Sequence, residues 1–174
     1  MTATIIEGML SEGFLYRLGV YAQTCAHIEK VLWHVVLLGQ GIDVSDEPDF
    51  QRAMRIRKVN RDLLSEAKDA AGKIKPNIGK ILVGIVSEIE SELYVRHMAV
   101  HGAWHTHPPG ESHTCEYFRD VGPKGAPDWR AYTDAITDQE IDGAISKVDD
   151  LLRRALDVWQ ELKASKSAGT TYER

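Results

Sequence analysis

Apolar residues recur in steps of three and four along most of the chain. Over residues 5–40 they fall at Leu10, Phe14, Leu18, Tyr21, Cys25, Ile28, Leu32, Val35 and Leu38. That is the period of one long amphipathic helix or of two abutting ones. Gly39 and Gly41 stop it, because glycine closes a helix without a Cβ penalty. After a short turn over residues 43–49, Pro48 is placed to open a second helix. This helix runs to Ala71, carries Phe50, Met54, Val59, Leu63, Leu64 and Ala67 on its apolar stripe, and is ended by Gly72. The spacing predicts a third helix from Pro76 to about Val100, with Ile78, Leu82, Ile85, Ile89, Leu93, Arg96 and Val100 on one stripe and Gly102 after it.

Residues 103–136 break the helical period. Pro108, Pro109, Gly110, Gly122, Pro123, Gly125 and Pro127 fall here, and β-prone pieces at residues 103–106 and 114–118 flank the first turn. A small β-hairpin or ordered loop is expected. The last helix starts at Thr137, where Thr137-Asp138-Gln139-Glu140 forms a capping box. Its stripe is Ile141, Ile145, Val148, Leu151, Leu152, Leu156 and Trp159. After Leu162 the sequence turns small and polar, so a frayed end is expected, with residues 166–174 a flexible tail. Short links make neighbouring helices antiparallel. The expected fold is all-α: an antiparallel bundle of four or five helices in a single domain over residues 1–165, with the 103–136 insertion before the last helix.

Composition narrows the function classes. Lys plus Arg is 21 and Asp plus Glu is 26, a net charge of −5. Bulk charge therefore does not announce nucleic-acid binding, no DNA partner is expected, and any basic footprint must be local. Two cysteines, Cys25 and Cys115, exclude a disulfide-dense scaffold. The first residues lack a basic stretch followed by an apolar one. The apolar run at residues 31–38, interrupted by His34, is too short to span a bilayer. No membrane association and a cytoplasmic location are expected.

The segment Arg96-His97-Met98-Ala99-Val100-His101-Gly102 departs from helix filler. Arg96 occupies the apolar stripe, and a cation there requires a partner or a function. His101 falls at the helix end. An arginine, a polar residue directly after it, and a histidine five positions on, late in a helical bundle, resemble the signature of the HEPN superfamily. The resemblance implies an all-α bundle of four or five helices. In many members it implies metal-independent RNA cleavage, with no cofactor, at a cleft where two copies of the motif face each other. Other members bind RNA or only dimerise, and some are toxins paired with a nucleotidyltransferase antitoxin. On this resemblance the partners are a second copy of the chain, an RNA substrate and such an antitoxin. His101 is the general acid or base, Arg96 stabilises the phosphate and His97 orients or binds, roles suited to imidazole and guanidinium. Tyr94, Trp104 and His105 are the candidate substrate-binding residues. Residues five apart point about 140° from each other on a regular helix, so Arg96 and His101 of one chain share no face unless the helix ends or distorts near Ala99. A facing second copy removes the difficulty.

Plainer roles compete. Arg96 can be a structural arginine paired with Glu29, Glu88 or Glu92, in a module that only dimerises or docks a partner. His101 can be a helix-end histidine favourable to the dipole. A His-rich metal site is a third reading: His97, His101 and His105 are spaced four apart, with His107, His113 and Cys115 beyond, although no His-Glu-x-x-His sequence is present. Arg52, Arg55, Arg57, Lys58 and Arg61 form an acid-free basic run, either a phosphate-tracking strip or a solvated face. Trp33 and Trp159 read as core. Trp104 and Trp129 either pack the insertion or stack a base.

Overall fold

The computed structural model describes residues 4–58, 60–107, 112–123 and 125–169. The predicted apolar position at Val59 and the turn at Pro108, Pro109 and Gly110 lie outside the described residues. Helices dominate: α1 (Ile5–Met9), α2 (Glu12–Gln40), α3 (Glu47–Lys58), α4 (Asn60–Ala71), α5 (Pro76–His101) and α6 (Asp138–Gly169). Between α5 and α6 lie β1 (Ala103–His107), β2 (Ser112–Asp120) and β3 (Trp129–Thr137). None of the described helices is long and apolar enough to cross a membrane.

The first period resolves into two abutting helices. Thr4 and Glu7 cap α1 reciprocally, and the Ser11 hydroxyl accepts from the Phe14 N–H at 3.2 Å to open α2. Gly41 sits at φ +68°, the left-handed conformation that a helix stop requires. At the start of α6, the Glu140 N–H donates to Thr137 Oγ1 at 3.2 Å and the Thr137 N–H donates to Glu140 Oε2 at 2.7 Å, the predicted capping box. The end of α6 differs from expectation. It passes Leu162 and remains helical to Gly169, and residues 170–174 lie outside the described residues.

The insertion is an antiparallel meander in the order β1-β2-β3, not a hairpin. Trp104 pairs with Cys115 and Tyr117 with Tyr132. The period-two alternation of strands sends His113, Cys115 and Tyr117 of β2 to one face and Thr114, Glu116 and Phe118 to the other. The third strand is hidden in the sequence because its inward positions are Tyr132, Asp134 and Ile136. A carboxylate interrupts the apolar alternation. Asp120 Oδ1 closes the β2–β3 connection by accepting from the Gly122 and Asp128 N–H groups at 2.9 and 2.8 Å.

The chain divides into two compact units, residues 1–23 with 93–148 and residues 24–92 with 149–174. In the first, Leu10, Phe14, Met98, Trp104, Cys115, Tyr117 and Ile141 form a buried cluster, flanked by Leu18, Tyr132, Ile136 and Ile145. This joins the sheet to the α2, α5 and α6 segments of the same unit. In the second, the buried apolar residues come from helices alone, among them Leu32, Val35, Leu63, Leu82, Ile85 and Leu151. Arg154 grips Glu88 there with two hydrogen bonds of 2.7 and 2.9 Å. Two stripes are rotated from their predicted faces. Ala53 and Ile56 of α3 are buried while Phe50 and Met54 are exposed, and Met98 replaces Val100 as the buried residue near the end of α5. Trp33 and Trp159, expected in the core, are half-buried and lie under the Arg57 and Lys163 side chains.

Candidate functional site

The last two turns of α5 present Tyr94, His97 and His101 on one stripe, three and four positions apart. His101 and Tyr94 are exposed and His97 is half-buried. The His97 and His101 rings lie 4.9 Å apart, tilted at 48°. His97 in turn meets the Tyr117 ring edge-on at 6.4 Å. The two imidazoles are therefore a neighbouring pair, of which His97 meets the inner face of the sheet.

A phenol–carboxylate cluster supports them. Tyr94 stands edge-on to Tyr117 at 5.5 Å, and Tyr117 stacks on Tyr132 at 5.3 Å. The Tyr94 O–H donates to Asp134 in a short hydrogen bond, and the Tyr94 and Tyr117 hydroxyls are bonded to each other. With the Tyr94 proton directed at Asp134, the single Tyr117 O–H is shared between the Tyr94 oxygen and Asp134 Oδ2, the latter at 3.2 Å. Burial first, and then the hydrogen bond to Asp134, raises the Tyr94 phenol above its ordinary value. Burial raises Tyr117 as well. Both phenols keep their protons, and Asp134 accepts from this pair beside the Tyr117 ring that meets His97.

Arg96 is half-buried, with its Nε withdrawn from solvent. Because α5 stays helical through His101, no distortion near Ala99 brings Arg96 round to the histidine. In one chain the two occupy different faces, whereas His97 and His101 share one.

The other sequence candidates separate. Trp104 is only 8% exposed. It packs against Phe14 at 5.2 Å and donates from Nε1 to the Met98 carbonyl at 3.2 Å. It is a core residue, closed to a substrate, because its strand position faces inward. His105 and His107 alternate with Trp104 and so project from the opposite sheet face, where His107 Nε2 bonds Thr114 Oγ1 at 2.7 Å. The alternative metal quartet of His97, His101, His105 and His107 is not assembled: among the described residues no group of three or more His, Cys, Asp or Glu side chains is placed to hold a metal ion.

His113 explains part of the histidine enrichment. It is fully buried and stacked on Phe14 at 3.6 Å. Its Nε2 bonds Asp138 Oδ1 at 2.9 Å and its Nδ1 bonds Thr106 Oγ1 at 3.0 Å. Thr106 Oγ1 also accepts from the Ser11 N–H at 3.2 Å, and Arg17 approaches Asp138 at 3.4 Å. This is a structural clamp tying α2, the sheet and α6 within one unit. Cys115 is fully buried, and burial followed by the charges of Asp134 and Glu116 pushes its thiol up to about 11, which removes it as a nucleophile near neutral pH.

Asp134, Tyr117 and Tyr132 were not legible as site residues from the chain. The available signal was the alternation of Tyr132, Asp134 and Ile136 against Ala131, Thr133 and Ala135. The chain matches no family model, no curated protein and no solved structure, so the site stands on its own geometry.

Proposed function

We propose that this protein is a HEPN-like, RNA-directed protein that acts as a metal-independent endoribonuclease at a cleft between two copies of the chain. On this reading α2, α3 with α4, α5 and α6 are the helices of a HEPN-type antiparallel bundle, and the sheet is inserted before the last of them. The observation that carries the reading is the pair of adjacent imidazoles, His97 and His101, 4.9 Å apart at the end of α5, with His101 open to solvent.

Cleaving RNA through its own 2′-hydroxyl requires a proton acceptor for that hydroxyl, a proton donor for the departing 5′-oxygen, and a cation beside the phosphorane. Imidazole exchanges protons near neutral pH, and guanidinium is permanently charged. His101 takes the acid or base role, His97 orients or binds the phosphate, and Arg96 offsets the developing negative charge. The face separation of Arg96 and His101 within one chain supports a site completed by a second copy. Tyr117, itself bonded to Tyr94 and Asp134, meets His97 edge-on and limits its position.

The test is cleavage of a labelled single-stranded RNA with EDTA present. Wild type is expected to yield fragments ending in a 2′,3′-cyclic phosphate, and His101→Ala to lose roughly 10²-fold or more in rate, the scale of one acid–base group. Equal activity of the two proteins overturns the proposal. A second reading, a docking or dimerisation module without catalysis, is favoured by the half-buried Arg96, whose Nε is withdrawn from solvent. It expects Arg96→Ala to lower stability while no RNA is cut.

A further inference from the structure

Helix α3 carries a surface that the α5 site does not use. Its periodicity predicts Phe50 and Met54 as core residues, yet each is 40% exposed, because Ala53 and Ile56 take the inward face. Beside them lies a hollow of about 350 Å³ lined by Gln51, Met54, Arg55 and Arg57, at the small end of the range of ligand sites. The Arg57 guanidinium lies over the Trp33 ring, 5.2 Å from its centroid, and Trp33 is anchored by donating from Nε1 to the Ala53 carbonyl at 2.8 Å. Stacking uses the flat face of a guanidinium and leaves its in-plane N–H groups for an anion.

The charge pattern indicates which occupant fits. Arg17, Arg130, Arg153 and Arg154 elsewhere in the chain, and Arg52 on α3 itself, each approach an Asp or Glu at 2.7–3.7 Å. Among the described residues Arg55 and Arg57 have no such partner, although acids outnumber bases by five. Arg119 and Arg61 share this lack of a partner, but Arg55 and Arg57 lie two residues apart on α3 beside the hollow, where no acid occurs at residues 51–60. An anion with a planar apolar group at short range meets both the cations and the hollow. Acidic side chains bring charge without the planar group.

We propose that the exposed face of α3 is an exosite for single-stranded RNA, in which Arg55 and Arg57 take backbone phosphates and a base rests on the apolar surface of Phe50 and Met54. The exosite rests on the RNA-directed reading of the α5 site but uses none of its residues.

Binding of a short labelled oligoribonucleotide, followed by fluorescence anisotropy across a salt series, tests it. Each phosphate contact on a single strand contributes about 0.7 to the slope of log K against log salt. Arg55→Gln with Arg57→Gln should therefore flatten the slope by about 1.4 and weaken binding roughly tenfold near 0.15 M salt. Arg55→Lys with Arg57→Lys should retain most of the slope. Arg130→Gln with Arg153→Gln, which removes the same charge elsewhere, should leave it unchanged. An unchanged slope in the α3 double variant overturns the exosite, as does equal weakening by the Arg130 and Arg153 control. So does tight binding of polyglutamate without binding of RNA, which would assign the face to an acidic protein. The two proposals fail separately. RNA bound through α3 without any cleavage removes only the endoribonuclease, and His101-dependent cleavage with α3-independent binding removes only the exosite.

Discussion

Gly102 joins the end of α5 to the start of β1, and replacing it with alanine tests how the α5 site is held. A Cβ at this position would run into Cys115 Sγ and would lie 2.6 Å from the Met98 carbonyl oxygen. The φ of Gly102 is not positive, so the cost is steric contact and not a forbidden backbone. Neither neighbour can yield. The Met98 carbonyl accepts from the Gly102 N–H at 2.9 Å and from Trp104 Nε1 at 3.2 Å, and Cys115 is fully buried. Overpacking a rigid site costs about 3 kcal/mol, the upper end of its range. Alanine also restricts the unfolded chain, which returns about 0.4–1 kcal/mol. The net loss is about 2 kcal/mol, a fall in Tm of about 4–8 °C for a chain of this size. Urea titration and thermal melts followed by circular dichroism measure it. A Cys115→Ala background removes one of the two collisions, so Gly102→Ala should cost about 1 kcal/mol less there. A Gly102→Ala protein within about 0.5 kcal/mol of wild type, or the absence of coupling to Cys115, refutes the reasoning.

Other consequences follow from the same unit. His113→Ala empties a buried stacking position and strips partners from Asp138 and Thr106; a loss of about 3 kcal/mol is expected by urea titration, and a loss under about 1 kcal/mol would show that the clamp contributes little. Cys115 should resist alkylation by iodoacetamide at about pH 8 in the folded protein and react only on unfolding; with Cys25 replaced by Ser, fast native labelling would contradict its burial. The Tyr94 phenol is raised in the folded state, so the stability it contributes is fully present below the ordinary phenol value of 10.0 and is lost as pH rises past it. Tyr94→Phe should therefore flatten the fall in Tm between about pH 9 and 11, and a slope equal to wild type would remove the Tyr94–Asp134 pairing from the account.

The sequence determined where several helices begin and end, though not the end of α6 or the division of the helix expected over 48–71 into α3 and α4. Steps of three and four, the Thr137 capping box, Gly41 and Gly102 are local signals, read within one or two turns, and α2, α5 and the start of α6 follow them. It also determined that Arg96, His97 and His101 all fall late in one helix. The inward faces were set otherwise. Phe50 and Met54 fit an apolar period, yet Ala53 and Ile56 are buried, because burial is decided by what packs against a helix. The strand Trp129–Thr137 escaped detection because Asp134 occupies an inward position, an arrangement that makes sense only once the hydroxyls of Tyr94 and Tyr117, 40 and 17 residues away, are brought to it. His113 looked like one more member of a histidine cluster until Phe14 and Asp138 closed around it. Local spacing fixes dihedral choices residue by residue, whereas the surroundings of a polar side chain depend on contacts between segments far apart in the chain, which no local period encodes.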